Sequence, residues 1–212
     1  MTQIVHLEVS PFAENTYIVY DETGEAVLID PGCYTPAECN LLVDLVKRLR
    51  VRPVRLLLTH AHIDHIFGAA FVHQHWGLLP ECHRNELPLL ERYPDICTLY
   101  GLPRPEPAPR PERFIEAGEV IAFGDTRLEA RFTPGHSPGG LSFYCAEDGF
   151  VVAGDALFYE SIGRTDLPGS HHETLLQSIR TQLLTLPDET VVYSGHGPAT
   201  TIRHEREYNP FL

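Results

Sequence analysis

The chain has little of what marks several large classes of protein. Its 212 residues include one methionine, one tryptophan and five cysteines, and no two cysteines form a C-x-x-C pair. Cys33, Cys39, Cys82, Cys97 and Cys145 are odd in number and scattered. That pattern excludes a disulfide framework and predicts buried, inert thiols in a reducing compartment. Basic residues are also scarce, 16 against 29 acidic, for a formal net charge of −13. A nucleic-acid or anionic-membrane surface needs a basic footprint, so neither partner is expected. No apolar run approaches the ~20 residues that span a bilayer. The N-terminus has neither a basic start nor an apolar core, so no secretory signal is expected and the cytoplasm is the expected location. No G-x-S-x-G motif is present, which removes the usual nucleophilic serine elbow.

What is present is a globular composition, 43% apolar and 21% charged, in a length that suits one domain over residues 1–212. Residues 3–9, 16–20 and 26–29 read as short strands of an antiparallel meander. Thr35-Pro36-Ala37-Glu38 is a capping box with proline at the first helical position. The helix it starts runs to about Arg50, with Leu42, Leu45, Val46 and Leu49 as the buried stripe and Pro53 as the breaker. Val54–Leu58 reads as a buried strand, and a helix follows over roughly 65–76. Residues 80–113 carry eight prolines. They predict a short helix near Asn85–Tyr93, then a stiff extended piece at 103–111 forming a lid or wall. Strands follow at 127–132, 141–145, 150–153 and 190–193. Ser170-x-x-Glu173 announces a helix at about 173–186. Each half runs strands, helix, then strand into a histidine. That order predicts an α/β fold, an αββα sandwich of two mixed β-sheets with helices on the outer faces.

Histidine is abundant, with twelve residues, and three fall in Thr59-His60-Ala61-His62-Ile63-Asp64-His65. Alternate residues of an extended chain point the same way. His60 and His62 can therefore grip one ion from the end of the Val54–Leu58 strand. Asp64 and His65 lie where the chain turns away and can hold a second. His136, Asp155 and His196 also follow strand exits, each after a glycine (Gly135, Gly154, Gly195) that lets the backbone turn sharply. Ligands from several strand ends converge at one edge of stacked sheets. Imidazole and carboxylate donors suit Zn²⁺, and also Fe or Mn. Seven exceed the four closed positions of a structural zinc. Two divalent ions sharing a carboxylate, with room for water, are the economical count. His6, His73, His75, His83, His171, His172 and His204 are read as structural, with His171 and His172 the two that can reach a site mouth.

In order and rough spacing, Thr59–His65, Gly135-His136, Gly154-Asp155 and Gly195-His196 resemble the metallo-β-lactamase fold superfamily over nearly the whole chain. The resemblance implies that His60, His62 and His136 bind one metal, that Asp64, His65 and His196 bind the other, and that Asp155 bridges. It gives Asp64 a catalytic role, orienting a hydroxide generated between the metals. Within the superfamily the chain looks most like glyoxalase II and its short relatives. Gly163-Arg164-Thr165-Asp166 is similar to that family's glycine-plus-basic loop, which makes Arg164 a candidate substrate anchor. Gly195–Thr201 and Asn209-Pro210-Phe211 also look like the short hydrolase branch. The resemblance is to the short type, so the further helical domain with which full-length glyoxalase II binds much of glutathione is not expected here. The activity implied is metal-dependent hydrolysis of a glutathione thioester, S-2-hydroxyacyl-glutathione. Two alternatives share the fold: a mono-iron, oxygen-consuming persulfide dioxygenase, and a lactonase or other ester hydrolase.

Overall fold

Three antiparallel strands open the chain in the computed structural model, which describes residues 1–212. They are β1 (Gln3–Val9), β2 (Glu14–Tyr20) and β3 (Glu25–Ile29). Helix α1 (Pro36–Leu49) crosses over to β4 (Arg52–Leu57), which lies parallel to β3. A single turn, α2 (Ile63–Ile66), then α3 (Ala69–Trp76) and the short β5 (Pro80–Glu81) complete a sheet of order β1-β2-β3-β4-β5. Helix α4 (Leu87–Leu99) follows a 3₁₀ turn at Arg84–Glu86. The second half builds β6 (Val120–Phe123), β7 (Thr126–Phe132), β8 (Leu141–Cys145) and β9 (Phe150–Gly154). A small hairpin, β10 (Leu157–Phe158) and β11 (Ser161–Ile162), precedes α5 (His172–Ser178). Strands β12 (Val191–Ser194) and β13 (Thr200–Thr201) and helix α6 (Ile202–Tyr208) end the chain. The second sheet has the order β13-β12-β9-β8-β7-β6.

Alternation along the strands separates three apolar layers. Tyr17, Val19, Val27, Ile29 and Leu57 of the first sheet meet Leu128, Ala130, Phe143, Phe150 and Val152 of the second. The opposite face of the first sheet, with Ile18, Leu28 and Leu56, packs on Leu42 and Val46 of α1 and Leu90 and Tyr93 of α4. The outer face of the second, with Val151 and Val192, packs on Leu175 and Leu176 of α5 and Ile202 of α6. This is the expected helix–sheet–sheet–helix sandwich. Each fully buried Leu, Ile or Phe contributes about 1.5–3 kcal/mol by leaving water. All five cysteines are free and buried.

Several boundaries differ from expectation for identifiable reasons. Helix α1 ends at Arg50, which adopts a left-handed conformation, φ 57°, while Pro53 already lies inside β4. Its buried face is Cys39, Leu42, Val43 and Val46, with Leu45 and Leu49 only partly covered. The helix expected over 65–76 is two pieces. Gly68 interrupts it because its N–H donates to the Pro31 carbonyl at 2.7 Å. Helix α4 runs through Pro94 to Leu99, because its face of Leu90, Tyr93, Pro94 and Cys97 is buried and that packing offsets the backbone bond proline removes. Ser170 does not cap α5. Its hydroxyl donates to the Leu167 carbonyl, and the His171 ring accepts the Thr174 N–H instead.

One polar staple joins the two sheets. Asp21, just past β2, accepts the Asp125 N–H at 2.7 Å and the Thr126 hydroxyl at 2.9 Å. Burial pushes its carboxyl up, but hydrogen bonds from Thr23, Thr126 and Asp125 outweigh that and hold it below the usual range. A depressed acid stabilises the fold above its unfolded pKa and loses that contribution as pH falls through its folded value. Asp21→Asn should therefore cost about 1–2 kcal/mol at pH 7. It should also flatten the acid limb below about pH 4 in urea titrations run across pH.

Candidate metal centre

The site begins where β4 ends. Leu58 is buried, and Thr59-His60-Ala61-His62 continues at the mouth between the sheets. His62 is the N-cap of α2, so the chain turns into a helix immediately after it. That turn carries Asp64 and His65 away from the His60–His62 pair. His136 arrives on the β7–β8 connection, Asp155 one residue after β9, and His196 two residues after β12.

All seven predicted residues come together. His60, His62 and His136 form one group of converging donors, and Asp64, His65 and His196 form a second. The ring centroids of His60, His62 and His136 are 4.5–4.9 Å apart. Asp155 lies between the groups. Its Oδ1 is 3.3 Å from His65 Nε2, and its Oδ2 is 3.4 Å from His136 Nε2 and 3.6 Å from His196 Nε2. Asp64 Oδ2 is 3.1 Å from His196 Nε2.

Two of the glycines act differently from one another. Gly154 has φ +53°, a left-handed turn that a side chain resists, and a Cβ there would strike the Thr59 side chain. Gly195 has no such turn. It is needed because a Cβ there would collide with Asp155 Oδ1.

The rings are aimed from behind. His136 Nδ1–H donates to the Arg164 carbonyl at 2.8 Å, and His196 Nδ1–H to the Phe12 carbonyl at 3.0 Å. His65 Nδ1–H donates to Asp30 Oδ2 at 3.0 Å. Thr59 gives its hydroxyl proton to Asp30, so its oxygen can accept from His60 Nδ1–H at 3.0 Å. Each outer bond fixes a tautomer and leaves an Nε2 lone pair facing the centre. His62 is reversed, with its Nδ1 2.8 Å from His136 Nε2.

The donor set fits divalent cations. His60 Nε2, His65 Nε2 and Asp155 Oδ1 are buried without a hydrogen-bond partner, a costly state that a bound cation relieves. Burial and the neighbouring imidazoles push His60 well down, and burial and His136 push His62 down to about 3. Burial opposes ionisation of Asp155, but His65, His136 and His196 hold its carboxyl well below the ordinary range. Burial opposes charge on His65, yet the Asp155 and Asp64 carboxylates raise it well above the ordinary range, so a cation bound there takes the place of the ring proton those carboxylates favour. Neutral imidazole and ionised carboxylate are the forms that bind metal.

Three buried acids at the centre were not among the predicted residues, and one of them, Glu14, is fully buried with its Oε1 3.8 Å from His65 Nδ1. Asp30 is 1% exposed and accepts the Thr59 N–H at 2.7 Å as well as the His65 ring. Its signal was available, since Asp30-Pro31-Gly32 also follows a buried strand. Glu86 is fully buried and accepts the Ala61 N–H at 2.7 Å and the Gly139 N–H at 2.5 Å. It thereby ties together the two loops that carry His60, His62 and His136, and nothing in its local sequence announces that.

A cleft of about 530 Å³ opens over the two groups. His62, Asp64, His136, Asp155 and His196 form its floor, and Phe12, Tyr100, Phe158 and Tyr159 line its rim. Arg164 also lines it, with its guanidinium paired to Asp166 at 2.6 and 2.8 Å. His171 and His172, expected near the mouth, are not among the lining residues. His171 caps α5, and His172 Nδ1 lies 3.3 Å from the Thr165 hydroxyl.

Residues 9–196 match the Metallo-beta-lactamase superfamily. The chain belongs to that superfamily. It is 39% identical over 210 residues to a probable metallo-hydrolase, YqgX, of Bacillus subtilis, covering 97% of this chain and 95% of that one. It is 36% identical over 208 residues to the hydroxyacylglutathione hydrolase GloC of Haemophilus influenzae, covering 97% and 96%. Among solved structures it is similar to the B3 metallo-beta-lactamase BLEG-1, with TM-score 0.89, 37% identity and 99% of each chain covered. TTHA1623, solved in a di-iron-bound form, gives TM-score 0.88 at 39% identity over 98% of this chain and 100% of that one. ETHE1 from Myxococcus xanthus gives TM-score 0.80 at 27% identity over 98% and 83%. This superfamily member is a metallo-hydrolase, and its histidine clusters match the superfamily's use of divalent metals. No helix in it is long and apolar enough to cross a membrane.

Proposed function

We propose that this metallo-hydrolase cleaves thioesters through a two-metal site, with S-2-hydroxyacyl-glutathione as its substrate. The observation that carries the reading is the place of Asp155, with oxygens against imidazoles of both groups. In this reading His60, His62 and His136 would hold one Zn²⁺ and Asp64, His65 and His196 a second, with the Asp155 carboxylate available to both groups. The chain is one domain, and residues 80–113 serve as a wall whose Ile96 and Tyr100 face the cleft. The 36% identity to a protein named hydroxyacylglutathione hydrolase supports the substrate.

Two divalent ions bound there would supply an activated water at neutral pH and polarisation of the thioester carbonyl. The protein's share is placement. Asp64 faces the cleft, and His65 and His196 keep its carboxyl low against the effect of burial. It therefore stays ionised and accepts a hydrogen bond from the attacking water, aiming it at the carbonyl. The departing thiol needs no acid from the protein, since thiols ionise near ~8.5. The aromatic rim offers apolar surface to a bound substrate, and Arg164 stands where a substrate carboxylate can compete with Asp166 for its fork.

The test is direct. Protein loaded with Zn²⁺ should carry two ions per chain and hydrolyse S-D-lactoylglutathione. Chelation should abolish turnover, and added Zn²⁺ should restore it. No turnover with two ions bound would sink the substrate assignment. One iron per chain, with oxygen uptake and sulfite formation from glutathione persulfide, would replace the hydrolase by a dioxygenase.

A further inference from the structure

The hairpin β10–β11 builds much of the cleft rim and is too small to hold itself. It has two residue pairs, Leu157↔Ile162 and Phe158↔Ser161, and an isolated two-stranded ribbon is marginal even when longer. Yet it supplies Phe158, Tyr159 and Ser161 to the cleft. The Phe158 ring lies 6.3 Å from that of His196. Its tip residue, Glu160, is held in the left-handed region at φ 52°, where a non-glycine residue persists only if its surroundings impose it.

Those surroundings are the last helix. Glu205 of α6 is fully buried. Its Oε2 accepts the Glu160 N–H at 2.9 Å and the Asn209 side-chain amide at 2.8 Å, and its Oε1 accepts the Thr200 hydroxyl at 2.5 Å. The Asn209 amide also donates to the Ser161 carbonyl at 3.0 Å. His204 Nε2 meets Glu160 Oε1 at 2.9 Å, and its ring stacks on Tyr159 at 4.8 Å and 15°. The tip of the rim hairpin is thus pinned from the C-terminal segment by Glu205, Asn209 and His204, and Glu205 is the buried member that holds both the Glu160 N–H and the Asn209 amide.

We propose that Glu205 is a positioning residue for substrate: it fixes the Phe158–Ser161 rim and so sets how tightly the cleft holds its ligand, without touching metal or reacting atoms. The inference rests on the cleft being the substrate site. Glu205→Ala removes all three bonds. Hydrogen exchange in peptides covering 157–162 should rise about tenfold, the local stability of roughly one hydrogen bond. Metal content should be unchanged. KM for S-D-lactoylglutathione should rise about fivefold while kcat moves less than twofold, the signature of lost binding that is equal in ground and transition states. Glu205→Gln should restore both, because the amide oxygen can take the two N–H donors while its NH₂ donates to the Thr200 hydroxyl.

If Glu205→Ala does not fold, Asn209→Ala gives the same reading through loss of the Ser161 bond. Unchanged exchange at 157–162 would overturn the proposal. So would an acceleration spread evenly over β9 and β12, which would mark a merely structural carboxylate. Exchange needs no substrate. If the wild-type protein fails to cleave S-D-lactoylglutathione, the hydrolase reading falls by itself, and the exchange result still decides whether Glu205 fixes the Phe158–Ser161 rim.

Discussion

Alanine at Asp155 should take metal and turnover away together. The carboxylate places one oxygen 3.3 Å from His65 and the other 3.4 Å from His136 and 3.6 Å from His196. Removing it leaves the imidazoles of both groups facing each other across a gap. A cation in either group loses an anionic ligand, and the geometry that sets the two groups side by side loses its common member. Metal content should fall below two per chain, and kcat/KM on S-D-lactoylglutathione should fall by about 10³-fold, as when a principal source of transition-state charge stabilisation is lost. Asp155→Asn keeps the volume but not the charge, so it should be nearly as inactive while binding some metal. Plasma emission analysis and steady-state kinetics on the same samples check this. Full activity in Asp155→Ala would make a shared-carboxylate site untenable.

Glu86→Ala should be the most damaging change outside the seven donors. Burial pushes the Glu86 carboxyl up, and the backbone N–H groups of Ala61 and Gly139 offset part of that. Deleting the side chain strands both N–H groups in the interior. A buried donor left without an acceptor costs about 1–3 kcal/mol, so the pair should cost about 3 kcal/mol or more. The second consequence is functional. Ala61 sits between His60 and His62, and Gly139 follows His136 by three residues, so both loops of the first group lose their common anchor. Outer-shell losses of this kind weaken metal binding by about 10–100-fold. The first group should be affected and the second spared, because Asp64, His65 and His196 have no bond to Glu86. Urea unfolding of the metal-free variant and competition with a chromophoric chelator separate the two effects. Equal loss from both groups would show that Glu86 acts through general stability alone.

The sandwich and its candidate centre were legible in the chain to different depths. The meander, the capped α1 and the strands ending at Leu57, Phe132, Gly154 and Ser194 follow local rules: alternation, β-branching and capping chemistry act over a few residues. Those rules failed where a distant partner decided the outcome. Gly68 breaks its helix for the Pro31 carbonyl, Pro94 survives inside α4 because its face is buried, and His171 rather than Ser170 caps α5. The two-residue strands and α6 escaped for a related reason. Segments that short carry too little periodicity to announce themselves and exist only through tertiary packing.

For the site, the sequence by itself named the candidate donors. A candidate ligand is defined by its own chemistry, and His60, His62, Asp64, His65, His136, Asp155 and His196 stand out by type and by their position after strands, which is why all seven could be named before folding brought them together. Only the tertiary structure decided what aims them. Asp30 reaches Thr59 across 29 residues, Glu86 reaches Ala61 across 25 and Gly139 across 53, and Glu205 reaches Glu160 across 45. A buried carboxylate that orients a loop owes its role to the donors folding brings to it, and those donors are backbone N–H groups that every residue but proline carries. Nothing in the spelling of the chain distinguishes such an acid from one in solvent. Burial does, because in the interior each unpaired N–H is costly and the acid that pairs it holds its loop in place.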